Sequence, residues 1–116
     1  MGKMDSGLPP IFERAHLQQY IDQNPQLERE IIDLFLFQLP DILSQLHNCS
    51  DARDWRLWTH TLKGSAMAVG ARRIELAALE LEDPRFSEDS PERKARLRAL
   101  ELLVAEFKGM ARHLFA

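Results

Sequence analysis

Apolar residues recur every three or four positions in five separate stretches of the chain, and no stretch alternates apolar and polar residues as a half-buried strand does. In "IFERAHLQQYI" the residues Phe12, Leu17, Tyr20 and Ile21 share one face of a short first helix, which "DQNP" ends. Asn24 is a good N-cap and Pro25 suits the first helical position, so a second helix should run from residue 25 to about 49. Its core face takes in Leu27, Ile31, Leu34, Phe35, Ile42 and Leu46; Gln38 falls within that stripe and Phe37 away from it. Pro40 cannot donate to Leu36, which predicts a kink rather than a break, because the apolar register continues past it. Ser50 or Asp51 caps a third helix from about residue 52 that stops at Gly70, and a fourth runs from 71 to about 82, ended by Pro84. "DPRFSEDSP" reads as a loop, after which Ser90 and Pro91 repeat the cap-then-proline signal. On the last helix Leu97, Leu100, Leu103, Val104, Phe107, Ala111 and Leu114 line one face.

Five amphipathic segments with short connections predict an all-α fold: an antiparallel four-helix bundle with a short additional N-terminal helix. Residues 11–116 form one bundle domain on this reading, and 1–10, the polar "MGKMDSGLPP", a flexible tail. A length of 116 residues suits one core but not a nucleotide-binding domain plus a second module. The net charge of -3 and the lack of any Lys/Arg run longer than two residues point away from nucleic acid as a partner. No apolar run approaches the roughly 20 residues of a membrane span, so no membrane partner is expected and the cytoplasm is the expected location. The single cysteine, Cys49, excludes an internal disulfide and a cysteine-based zinc cluster.

Chemistry concentrates on the third helix. At about 100° per residue, Trp55, Trp58, Leu62, Ser65, Ala66 and Val69 form its buried face, both tryptophans being core, and His60 points directly away. Arg56, Lys63, Met67 and Gly64 surround His60 on an exposed, locally basic surface. A histidine on a polar helix face is ordinarily just solvated, but these neighbours change the reading. Lys63 at i+3 lies within about 6 Å at the level of Cβ, and Gly64 at i+4 removes the side chain that would cover the imidazole. Imidazole ordinarily titrates near 6.5, so much of it is deprotonated and nucleophilic at neutral pH. A nearby ammonium favours an added anion, which suits phosphoryl acceptance better than acyl transfer. A convex helical face has no pocket walls, so the electrophile must be delivered by another protein.

"HTLKGSAMAVGA", residues 60–71, resembles the phospho-acceptor motif of histidine-containing phosphotransfer (HPt) domains, with its His-x-Leu-Lys-Gly-Ser core. The resemblance extends to the mid-helix "LP" at Leu39 and Pro40, the helical hairpin at Gly70 and the long last helix. It implies a stand-alone, monomeric carrier in a multistep two-component phosphorelay. His60 would accept a phosphoryl group, through Nε2, from a receiver-domain aspartyl phosphate and pass it to another receiver aspartate. Lys63 would balance phosphoryl charge and Gly64 give access. The partners implied are receiver domains of hybrid histidine kinases and of response regulators; magnesium belongs to the receiver, and this chain needs no cofactor or metal. ATP-dependent kinase activity is not expected, since nothing resembles GxxxxGK[ST].

In a hairpin turning near Gly70, Glu80 to Glu82 lie level with His60, and Glu82 borders the buried stripe of Ile74, Ala78 and Leu81 while Glu80 points away. Glu82 is therefore a candidate to accept from Nδ1–H and leave Nε2 free, the alternative being an ordinary helix-end glutamate. Arg56, Met67 and Phe37 are candidates for a receiver-docking surface, with Arg72 or Arg73 adding positive charge. His16, His47 and His113 lie on three separate helices without metal-ligand spacing. A rival reading of the whole is a helical adaptor that binds a receiver or kinase without carrying phosphate; another is the histidine-bearing part of a larger kinase, against which the chain's ending soon after its last helix is expected to count.

Overall fold

A computed structural model describes residues 7–115. They form α1 (Arg14–Ile21), α2 (Pro25–Asn48), α3 (Ala52–Val69), α4 (Arg72–Leu81), a 3-10 turn (Pro84–Phe86) and α5 (Pro91–Leu114), with no strand among the described residues. Local chemistry sets the helix ends. Asn24 Oδ1 accepts from the backbone N–H of Gln26 and Leu27, and Asp51, rather than Ser50, accepts from Asp54 N–H. Ser90 Oγ accepts from Arg93 N–H, with Pro91 in the first turn of α5. Each cap satisfies donors that the first turn leaves without partners.

α2 packs against α3 and α5, α4 packs against the same two, and α1 lies over α2 and α3. Trp55 at the start of α3 donates through Nε1 to the carbonyl of Leu81 at the end of α4, at 2.8 Å. Likewise the early Arg73 of α4 meets the late Glu106 of α5, and the late Glu80 meets the early Arg96. The core that joins the helices includes Ile32, Phe35, Leu39, Leu46, Trp55, Leu62, Ile74, Leu81, Leu97, Leu100 and Phe107. Burying one such side chain stabilises by about 1.5–3 kcal/mol.

The structure corrects several expectations about faces. On α2 the buried residues are Glu28, Ile32, Phe35, Leu39, Ile42 and Leu46, whereas Leu27 and Leu34 are exposed and Ile31 half-buried. The stripe turns because Glu28, 1% exposed, takes a core position to receive Arg14 in two bonds of 2.7 and 2.8 Å, which fastens α1 to α2. Gln38, expected in the stripe, is exposed, so its amide stays in water. Tyr20 is 75% exposed and meets the His16 ring edge-on. Helix α2 continues through Pro40 without interruption. The first helix starts at Arg14, later than expected, and Phe12 before it packs edge-on against Phe107. Of the expected tail, residues 1–6 lie outside the described residues; beyond them the Pro9 carbonyl accepts from Arg73 Nε at 2.8 Å.

Besides Glu28, two buried polar side chains belong to the core, Thr59 and Arg93. Thr59 returns its hydroxyl to the Trp55 carbonyl at 2.9 Å. Arg93, 3% exposed, donates to the carbonyls of Leu46 and Cys49 at 2.9 Å each and lies 4.2 Å over the Trp55 ring. Its charge thus meets the carbonyls that the end of α2 leaves open, where a cation is favoured.

Candidate functional site around His60

The α3–α4 hairpin places the site. Gly70 ends α3 with φ of 88°, in the left-handed region that suits glycine. A Cβ there would lie 2.6 Å from the Glu13 carbonyl oxygen, and Glu13 N–H donates to Gly70 O at 2.8 Å. The turn is therefore both tight and clamped by the segment before α1. It returns the chain so that Glu82, which closes α4 with its N–H bonded to Leu79 O, lies beside the middle of α3.

There His60 projects with 72% of its side chain exposed, its Nδ1 3.6 Å from Glu82 Oε2. Lys63 Nζ donates to the other carboxylate oxygen, Oε1, at 3.1 Å. The first separation is an ion-pair distance and too long for a hydrogen bond; the second is a charge-assisted hydrogen bond between side chains about three-quarters buried, 22% and 24% exposed. Gly64, one turn on, is exposed, and a Cβ added to it would meet nothing within 4 Å. One edge of the imidazole therefore faces a shared carboxylate, and the rest faces open solvent beside bare backbone.

Residues 15–114 match the Hpt domain family. The chain belongs to the Hpt family. No curated protein and no solved structure matches it. The Hpt domain is a phosphotransfer module of phosphorelays, and the match spans nearly the whole chain.

Within this Hpt domain, the expectation of a wholly convex face needs correction. His60, Lys63 and Glu82 line an open hollow with Arg53, Asp54, Arg56 and Leu57. Glu82 and the adjoining end of α4 raise one wall of it, which a single-helix projection cannot show. Lys63, expected on an exposed surface, is instead about three-quarters buried against α4, and its bond to Glu82 holds it to one side. Arg56 is exposed at the hollow, as is Arg53, and among the described residues neither side chain has an ion-pair partner. Arg53 and Leu57, unremarked in the sequence, stand seven and three positions before His60, a spacing that puts them on its face.

Met67, 41% exposed, lies farther along α3, where it lines a second hollow with Gly64, Ala68, His16 and Tyr20. Phe37 is 80% exposed but stands apart from the imidazole, in a third hollow with Gln38, Asp41, Trp58, Thr61 and Ser65. Trp58, expected in the core, is half-buried and only packs against it. Arg72 and Arg73 are committed elsewhere, to Glu13 and Glu75 and to Glu106 and the Pro9 carbonyl. Among the described residues no group of three or more His, Cys, Asp or Glu side chains is placed to hold a metal, and no helix is long and apolar enough to cross a membrane.

Proposed function

We propose that this Hpt domain carries phosphoryl groups on His60 between receiver domains of a multistep phosphorelay. The observation that carries the reading is an imidazole 72% exposed, with Nδ1 turned towards a carboxylate and open backbone at Gly64 beside it. A neutral imidazole whose proton is kept on Nδ1 presents its lone pair at Nε2. That lone pair attacks the phosphorus of a receiver's aspartyl phosphate: the N–P bond forms, the P–O bond to aspartate breaks, and its electron pair returns to the carboxylate. The reverse sequence delivers the group to a second receiver.

Glu82 acts here as a positioning residue for the Nδ1 tautomer, Lys63 as the cation that balances the phosphoryl charge, and Gly64 as the opening through which a receiver reaches the ring. Arg53 and Arg56 offer unpaired positive charge to an acidic receiver face, which speeds encounter. Leu57, Met67 and, at the far rim, Phe37 supply apolar contact. The fold suits this role as an antiparallel four-helix bundle of α2 to α5, capped by α1, in which a rigid α3 displays the histidine. Magnesium and the acidic cluster belong to the receiver, and the chain works as a cytoplasmic monomer without ATP-dependent kinase activity of its own.

Incubation with receivers carrying radiolabelled aspartyl phosphate tests the reading. Label should move to the wild-type chain and not to His60→Gln. If no receiver labels the wild-type chain, or if His60→Gln is labelled equally, the carrier reading fails; binding that survives His60→Gln without any labelling would mark an adaptor.

A further inference from the structure

Glu82 has two oxygens and two suitors, and it stands differently to each. Oε1 is bonded to Lys63 Nζ at 3.1 Å, whereas Oε2 stops 3.6 Å short of His60 Nδ1. The Glu82 backbone is fixed at the end of α4, so its carboxylate adjusts only through side-chain torsions. Lys63 has no other side-chain partner among the described residues; its flexible stem and three donors allow it to turn towards a new anion on the neighbouring imidazole. Resting on the carrier role of His60, we propose that phosphorylation makes these groups exchange partners. The ammonium leaves Glu82 Oε1 for the phosphoryl oxygens, and the freed carboxylate closes on Nδ1–H.

The exchange serves opposite needs in the two states. Before transfer the ring must be a nucleophile with its lone pair at Nε2, and the carboxylate, bonded to Lys63, stands 3.6 Å from Nδ1 without yet bonding to it. Attack by Nε2 creates an N–P bond, while Nδ1 keeps its proton and the ring becomes cationic. A carboxylate released from Lys63 then stabilises that cation by both charge and hydrogen bond. On return, the protonated ring is the better leaving group: the N–P bond breaks towards nitrogen as the acceptor aspartate attacks. The same two side chains thus switch His60 from nucleophile to leaving group without any backbone movement.

The test uses the full chain, phosphorylated with phosphoramidate as a small-molecule donor and labelled with nitrogen-15 in histidine and lysine. On phosphorylation the Lys63 ammonium signal should shift, and the Nδ1 proton should exchange with water about tenfold more slowly in wild type than in Glu82→Gln. In Lys63→Met the close Glu82 to Nδ1–H contact should already be present before phosphorylation. An unchanged Lys63 signal, or equal Nδ1 proton exchange in wild type and Glu82→Gln, overturns the exchange while leaving the carrier role standing. If His60 takes phosphate from neither phosphoramidate nor any receiver, both fall together.

Discussion

Gly64 lies inside α3 and Gly70, six residues on, caps its end, and replacing each by alanine should change stability in opposite directions. At Gly64 the added Cβ meets nothing within 4 Å, so only the backbone effect remains. Alanine in an exposed helix interior is favoured over glycine by about 0.8–1.0 kcal/mol, and Gly64→Ala should stabilise by about that much. The melting temperature should then rise by roughly 4 °C for a chain of this size. At Gly70 the φ of 88° disfavours a side chain by about 1–3 kcal/mol. The Cβ would also stand 2.6 Å from the Glu13 carbonyl oxygen, a backbone atom that must retreat. That retreat strains the Glu13 N–H to Gly70 O bond, for a further ~1 kcal/mol. Gly70→Ala should therefore destabilise by about 3 kcal/mol in total. Urea unfolding followed by tryptophan fluorescence reads both. A Gly64→Ala variant no more stable than wild type would show that helix propensity is not what the glycine gives up. Phosphate transfer is a separate readout: Gly64→Gln should fold as well as Gly64→Ala, yet transfer phosphate at least about tenfold more slowly, since its side chain lies across the approach to His60. Transfer at the wild-type rate would refute the access argument.

Arg93→Met keeps an apolar stem beside Trp55 but removes the guanidinium from over its ring and leaves the Leu46 and Cys49 carbonyls without their donor, and should cost about 2–3 kcal/mol in urea unfolding. Arg14→Ala strands the buried Glu28 carboxylate; because Arg14 itself is 43% exposed, the loss should be about 2 kcal/mol, with much of it recovered in Arg14→Ala/Glu28→Gln. The backbone N–H and then the guanidinium of Arg85 hold the Asp83 carboxyl below the usual carboxylate range. A depressed folded value means that its stabilising effect is present above the unfolded value and is lost as pH falls through the folded one. Carbon-13 signals of the Asp83 carboxyl should therefore titrate later than those of exposed carboxylates on acidification, and Arg85→Ala, which removes the guanidinium but keeps the backbone N–H, should shorten the delay without abolishing it.

Helix ends were legible in the sequence because their causes are local: Asn24 with Pro25, Asp51, Gly70 and Ser90 with Pro91 each act within a few residues. Faces were less so where a partner distant in sequence decides them. Glu28 occupies a core position only because Arg14 reaches it from another helix, and that pairing leaves Leu27 and Leu34 outside. Thr59 and Arg93 carry polar side chains whose burial no local pattern in the sequence signals, and both are buried because backbone carbonyls satisfy them. Around His60 the exposed imidazole and the bare Gly64 followed from helical geometry, and the hairpin register brought Glu82 to the right level. The bond between Lys63 and Glu82 did not follow, since it depends on how far each side chain leans across the α3–α4 contact.

The central claim is that Nε2 of His60 is the atom that carries phosphate. Phosphorus-31 and nitrogen-15 spectra of the chain after reaction with a phosphorylated receiver test it most directly. One acid-labile phosphoryl group coupled to Nε2 of His60, lost in His60→Gln, is the expected result. A phosphoryl group on Nδ1, on another histidine or on a carboxylate would contradict it.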